Sequence, residues 1–270
     1  MGSADKKTVL ITGANSGIRY EAVKALLESN KAHYHAYLCS RDPEKGRKAL
    51  EQIRAELPNV TSTVELLQLD VTDDDSIQKA YEHVQSTQGR LDVLINNAAV
   101  NYDIICVDGK VSLRECFNKA YDVNVTGAHI VTYTFVPLLL KSSDPRLLFV
   151  AGLSMLTQAA EKYFPTPPLP AGWPKKVDFE TIGYRCSKTA LSILMLDWNH
   201  KLKADGIKVW SVNPGLLLTN LGGGGKALEM IRARGGGPAS EGGAVLRSVV
   251  EGERDADVGK IVSKDGLTPW

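Results

Sequence analysis

Tyr184 and Lys188 stand four residues apart in the stretch YRCSK. On a helix that spacing sets both side chains on one face, a turn apart. A phenol of pKa about 10 is a poor base at neutral pH. A neighbouring ammonium stabilises the phenolate and brings that value down, which turns the pair into a proton donor and acceptor. Tyr184 is the candidate acid or base and Lys188 the group that tunes it. Their chemistry is proton transfer at an oxygen, and it needs a second reactant brought alongside.

A turn near the start of the chain is built to hold such a reactant. In TVLITGANSGIRYE an apolar run ends at Gly13, Gly17 follows, and a helical pattern begins near Tyr20. Strand, glycine turn and helix start together aim backbone N–H groups at a pyrophosphate. Where a third glycine is expected the chain has Arg19. The third glycine mainly permits close helix–strand packing, so the fold is expected to survive the arginine. Its side chain either reaches a phosphate, which helps binding, or fills the pocket, which weakens it. Two further strand ends belong to the same region. Asp70 closes LQLD, where a carboxylate accepts from an adenine amino group, and the small residues of Asn96-Asn97-Ala98-Ala99 leave room for an adenosine.

Buried strands are expected over residues 8–12, 36–40, 64–69, 93–96, 147–151 and 208–212, because continuous apolar runs suit a parallel sheet covered on both faces. Helices are expected over 20–29, 43–57, 74–88, 114–141 and 182–204, with Asp42 capping and Pro43 opening the second. Strict alternation of the two argues a doubly wound α/β sheet in one domain, with ligands at the carboxyl ends of the strands.

The composition narrows the class. The 270 residues are 43% hydrophobic and 23% charged with a net charge of +1, so no general affinity for nucleic acid or anionic membrane is implied. MGSADKK lacks the apolar run of a signal peptide, and stretches such as 131–140 are too short to span a bilayer. Cys39, Cys106, Cys116 and Cys186 show no CxxC spacing and are read as reduced thiols of a cytoplasmic protein. The five histidines have no metal-ligand spacing, so no metal is expected.

Taken in order along the chain, TGANSGIR, NNAA, Tyr184-Arg-Cys-Ser-Lys188 and VNPG resemble the short-chain dehydrogenase/reductase family's TGxxxGxG, NNAG, YxxxK and PG motifs, over essentially the whole length. The resemblance implies a Rossmann-type sheet of about seven strands, the last short one at 260–263. It implies an oxidoreductase in which a nicotinamide gives hydride to a carbonyl carbon and Tyr184 gives a proton to its oxygen, or the reverse. Asn124 matches the family asparagine whose helix distortion holds a water in the proton relay behind the lysine. The family serine that follows the fifth strand has no gap-free counterpart, since Ala151 or Gly152 falls there; Ser154 serves if the strand exit is displaced. Cofactor contacts are expected from Gly13, Asn15, Ser16, Gly17, Ile18, Asp70, Val71, Asn97, Ala98, Tyr184, Lys188, Pro214, Gly215, Leu217 and Thr219. Ser40-Arg41 ends the second strand where a carboxylate would bind free ribose hydroxyls. A cation there suits a 2′-phosphate, so NADP(H) is the expected cofactor.

Two segments break the rhythm. Residues 155–183 are proline-rich, as in monomeric carbonyl reductases of the family, and are expected to obstruct dimerisation through the Tyr184 helix or to wall a bulky apolar substrate with Tyr163, Phe164 and Trp173. Residues 216–240 are glycine-rich and are expected to cover the cofactor. The partner is a small molecule, the chain a monomer or homodimer, and the style of RLLFV and DGLTPW is similar to fungal reductases of secondary metabolism. The competing reading, resting on Arg19 and the missing serine, is a relative with weakened or lost redox activity that catalyses a non-redox step or binds a ligand.

Overall fold

The computed structural model describes residues 6–152, 154–163, 169–175, 181–221 and 224–270. The chain begins with β1 (Lys7–Ile11), α1 (Gly17–Leu27), β2 (Tyr34–Ser40), α2 (Pro43–Glu56), β3 (Thr63–Gln68), α3 (Asp74–Thr87) and β4 (Val93–Asn96). After these come α4 (Asp103–Val107), α5 (Leu113–Tyr121), a π-helical turn (Asp122–Gly127), α6 (Ala128–Leu139) and β5 (Arg146–Val150). Next are α7 (Leu156–Gln158), a second π turn (Ala159–Tyr163), α8 (Ile182–Leu202), β6 (Lys208–Val212), α9 (Lys226–Ala233) and α10 (Ala239–Val250). A 3-10 turn (Asp255–Asp257), β7 (Ile261–Ser263) and β8 (Gly266–Thr268) close the chain.

The strands form one sheet in the order β3-β2-β1-β4-β5-β6-β7-β8. All pairs are parallel except β7 with β8. Side chains alternate between its two faces. Val9, Ile11, Leu38, Ile95 and Trp210 join one core with residues of α1 and α10, and Leu10, Tyr37, Leu94 and Phe149 join the other with α3, α6 and α8. Strand order reverses between β1 and β4, which opens a crevice at their carboxyl ends.

Local chemistry sets the helix starts. Asp42 Oδ1 accepts from the N–H groups of Glu44 and Lys45, with Pro43 in the first turn of α2. Asp73 caps α3 and Ser112 caps α5 in the same manner.

Four features depart from the sequence expectation. The sheet has eight strands rather than seven, because GLT folds back antiparallel on β7. The helix expected over 114–141 is three pieces, with the π turn at its middle. At the end of that turn the chain passes close to another segment: a Cβ on Gly127 would lie 2.5 Å from the carbonyl oxygen of Val71. Helices α10 and α4 were not among the expected elements. The glycines of α10 serve packing, since a Cβ on Gly243 would meet the Glu21 carbonyl of α1 at 2.7 Å. Segment 155–183 contains α7 and the second π turn, and segment 216–240 contains α9. Of the aromatics expected to wall a substrate, Phe164 lies outside the described residues, and Trp173 is 88% exposed to solvent rather than set in a wall.

Candidate active site

The helix that carries the chemistry is held from outside itself. At the start of α8, Asp103 Oδ1 accepts from Gly183 N at 2.8 Å and Oδ2 from Tyr184 N at 2.8 Å. Asp103 is buried and is itself fixed by an N–H bond to Asn101 Oδ1. No residue of α8 supplies a side-chain cap, so a carboxylate from the β4–α5 connection does this work.

On that helix Tyr184 is 8% exposed, and Lys188 Nζ lies 5.6 Å from its ring centre. Lys188 is fully enclosed and donates to the Val150 carbonyl at 2.8 Å. Burial pushes the Tyr184 phenol up to about 12, with the Arg19 guanidinium pulling the other way. Burial pulls Lys188 down to about 7, and Arg19 acts in the same direction. In this state Tyr184 carries its proton at neutral pH and is set to donate it.

Asn124 sits in the π turn with no exposed surface. Its Oδ1 accepts from Val100 N at 2.8 Å, while Nδ2 donates to Val100 O and to Ser187 Oγ at 3.0 and 2.9 Å. Ser187 Oγ donates onward to the Tyr184 carbonyl at 2.7 Å. The wide turn thus ties the β4 exit to the Tyr184 helix, a common use of a π bulge.

Beyond β5 the chain passes Ala151 and Gly152, neither of which has a hydroxyl. Ser154 is 3% exposed and donates its hydroxyl proton to the Ala151 carbonyl at 2.7 Å. Its own carbonyl receives a bond from Thr189 Oγ1 of α8 at 3.4 Å.

At the reversal of strand order lies a cleft of about 280 Å³ lined by Gly13, Asn15, Arg19, Ser40, Arg41, Asp70 and Ala98 among others. Thr12 Oγ1 locks its floor by accepting from the N–H groups of both Asn97 and Ala98, each at 2.9 Å. Gly13 and Gly17 adopt φ of +64° and +61°, which explains why glycine stands at both. Asp70 and Val71 are in the wall, although Asp70 Oδ1 already receives two bonds from Thr72. Arg41 and Lys45 bring two cations to the same cleft.

Ser16, Gly17 and Thr219 line a second cavity of about 310 Å³ on the other side of the turn. A Cβ on Gly17 would lie 3.5 Å from Thr219 Cγ2, so the segment after β6 rests directly on the glycine turn. Leu217 bridges to Gly237, and Ile18 and Leu217 both press on Gly242. Asn213 Oδ1 accepts from Gly215 N in the PG turn that contains Pro214.

These donors fit a dinucleotide. The amide Nδ2 of Asn97 is buried at the strand end with no hydrogen-bond partner. Small residues at Gly13, Ala98 and Ala99 clear the crevice, and its cations suit phosphate. Sequence reasoning missed Asp103, Ser187 and Lys45. Lys45 had a signal, since it stands four residues after Arg41 in the first turn of the helix that follows. Asp103 had only an Asn-x-Asp turn far from the helix that it caps.

Residues 7–162 match the family described as short chain dehydrogenase. The chain is 48% identical over 265 residues to the short-chain dehydrogenase/reductase tropE of Talaromyces stipitatus, covering 97% of each. It is 38% identical over 279 residues to the short-chain dehydrogenase/reductase eupG of a Phoma species, covering 100% of both. The NADPH-bound carbonyl reductase from chicken fatty liver superposes with a TM-score of 0.76 at 22% identity, over 98% of this chain and 99% of that one. YwfH, an NADPH dependent reductase involved in bacilysin biosynthesis, gives 0.72 at 19% identity over 98% and 99%. At those identities the two structures speak to the fold.

Proposed function

The chain belongs to the short-chain dehydrogenase/reductase family, and on that basis we propose that it reduces a ketone or aldehyde with NADPH, or oxidises the corresponding alcohol. The observation that carries this reading is Tyr184, a buried and protonated phenol beside Lys188 at the carboxyl edge of the sheet. When bound, the nicotinamide supplies or takes up a hydride at the substrate carbon. Tyr184 gives its proton to the substrate oxygen in the reducing direction and recovers it in the other. Lys188 then steadies the phenolate through its charge, which it takes up more readily once an anion lies nearby. Asp103 keeps the Tyr184 backbone in place, and Asn124 and Ser187 brace the same turn. Arg41 and Lys45 would hold a 2′-phosphate, Asp70 and Val71 the adenine, and Asn97, Pro214, Gly215, Leu217 and Thr219 the nicotinamide half. The NADPH in the descriptions of the two structural neighbours supports the choice of cofactor.

The substrate is a small molecule, proposed to be bulky and apolar, enclosed by segments 155–183 and 216–240. The fungal sources of the two close relatives support a place in fungal secondary metabolism. No described helix is long and apolar enough to cross a membrane. A cytoplasmic monomer or homodimer remains our reading.

A second reading is favoured by Gly152 at the serine position and by Arg19 in the cleft: a protein that binds ligand with weakened redox turnover. Titration with NADPH followed by turnover on a panel of ketones separates the two. Turnover that Tyr184→Phe abolishes supports the first; tight binding with no turnover on any ketone supports the second.

A further inference from the structure

Arg19 turns its guanidinium into the cleft. Its Nη1 lies 2.6 Å from where a Cβ on Gly13 would stand, and it shares the cleft wall with Gly13, Asn15 and Ala98. Both placements open from the sequence, on a phosphate or filling the pocket, lie inside the nucleotide groove, and that is where the guanidinium stands. No described carboxylate forms an ion pair with it. Its titratable neighbours are Tyr184, a protonated phenol, and Lys188, an amine held down to about 7, and neither brings it a negative charge. Arg19 is only partly exposed, and a guanidinium partly stripped of water with no anion beside it gains when an anion enters.

The adjoining helix start has the same vacancy for negative charge. Ser16 precedes α1 but makes no side-chain capping bond, and the first turn of α1 contains no acidic residue. Asp42, Asp73 and Ser112 cap α2, α3 and α5 with their own side chains; α6 shares the bare start of α1, but only α1 opens on the glycine turn. The free N–H groups of α1 and the guanidinium of Arg19 thus belong to one glycine turn, and both lack a partner. Arg41 and Lys45 line the same cleft from a different element, the exit of β2 and the first turn of α2. The cleft therefore has two separate cationic stations, and a dinucleotide phosphate has two separate anionic groups.

We propose that Arg19 is the diphosphate ligand of this chain: a side-chain cation at the glycine turn that clamps the linkage common to NADPH and NADH, while Arg41 serves the 2′-phosphate alone. The clamp rests on the dinucleotide reading above. Arg19 contacts Gly13 through a flexible side chain, so it moves to meet the diphosphate by rotation about its own bonds, with the backbone in place. A guanidinium adds a formal positive charge and a forked pair of donors to the backbone N–H groups of the turn, which a third glycine cannot.

The test is calorimetric titration of the whole protein with NADPH and with NADH, for wild type, Arg19→Gln, Arg19→Gly and Arg41→Ala, with circular dichroism as the check on folding. The clamp requires that both Arg19 variants weaken both nucleotides by the same factor, about ten- to a hundredfold. Arg41→Ala then weakens NADPH and leaves NADH within about twofold. Added salt should depress wild-type affinity more steeply than that of Arg19→Gln. Tighter or unchanged binding of both nucleotides by folded Arg19→Gly overturns the clamp, the tighter result marking Arg19 as an obstruction. If Arg41→Ala fails to discriminate while Arg19 substitution weakens both, the NADP preference falls and the clamp stands. Failure of wild type to bind either nucleotide overturns both.

Discussion

The main-chain N–H of Tyr184 donates to Oδ2 of Asp103 at 2.8 Å, across a separation of 81 residues. The reactive phenol is thus anchored by a carboxylate from the start of α4, and the neighbouring oxygen of the same group receives Gly183 N. Removing the carboxylate leaves two buried donors unsatisfied. Asp103→Ala is expected to cost about 2–3 kcal/mol of stability, read from urea unfolding. Asp103→Asn retains one acceptor and should recover part of that loss. In folded Asp103→Asn, kcat should fall about tenfold with the NADPH dissociation constant little changed. Equal loss in both would place Asp103 in the general scaffold instead.

Tyr184→Phe removes the proton and leaves the packing. Turnover should drop by about 10²–10⁴-fold, the range for loss of a positioned acid. NADPH affinity should stay within about threefold, since the substitution removes one neutral hydroxyl and no charge. Turnover on ketones above a tenth of wild type would show that the proton comes from another group.

The missing serine gives a constructive test. Ser154 Oγ has its proton committed to Ala151 O, so Ser154→Ala is expected to lower kcat less than threefold. At Gly152 a Cβ would stand 3.4 Å from Asn213 Oδ1 and 3.5 Å from Pro214 Cδ, room that a small side chain can use. Gly152→Ser should raise kcat for a carbonyl substrate about tenfold, by adding a hydroxyl at the β5 exit. A large loss in Ser154→Ala would instead make Ser154 the polarising hydroxyl, with its proton turned from Ala151 toward substrate.

How far the sequence carried these assignments depends on whether a residue acts locally. The strands read correctly because continuous apolar runs such as VLIN report burial on both faces directly. Tyr184 and Lys188 announce themselves by spacing within one helix, and Gly13 and Gly17 by the turn that they must make. The π turn was illegible because the contacts around it, Gly127 against the Val71 carbonyl and Asn124 with Val100 and Ser187, join distant segments. Asp103 was missed for the same reason. The direction of Arg19 was undecidable from sequence, since the alternatives differ only in side-chain rotation about one backbone.

Gly127 makes that long-range contact testable. A Cβ there would stand 2.5 Å from a backbone oxygen, and a backbone cannot swing aside as a side-chain tip can. Gly127→Ala should destabilise the fold by about 2–3 kcal/mol, as overpacking of a close site does. Because Asn124 occupies the same π turn, the loss should come with faster hydrogen exchange at Val100 N, its bonding partner. A stable Gly127→Ala protein with unchanged exchange would show that the contact yields freely.

Lys188 sets a pH dependence whose sign is fixed. Its ammonium is held down to about 7 in the folded chain, first by burial and then by Arg19 of α1, against 10.5 when free. Between those values the unfolded chain binds a proton that the folded chain lacks, so stability climbs as pH rises through that window. Below about pH 7 the folded chain holds a buried cation and the penalty is complete. The full shift corresponds to a few kcal/mol on the scale of roughly 1.4 kcal/mol per unit. Tyr184 acts oppositely: raised to about 12, it makes the fold lose stability as pH climbs past about 10. Cofactor-free protein should therefore gain thermal stability from pH 6 to pH 9. Lys188→Met, which keeps length and removes charge, should be more stable than wild type at pH 6. Its margin should shrink steadily toward pH 9, where wild type regains the bond to the Val150 carbonyl with no charge to bury. Parallel melting curves for the two proteins across that range would show that Lys188 keeps its ordinary proton affinity in the fold.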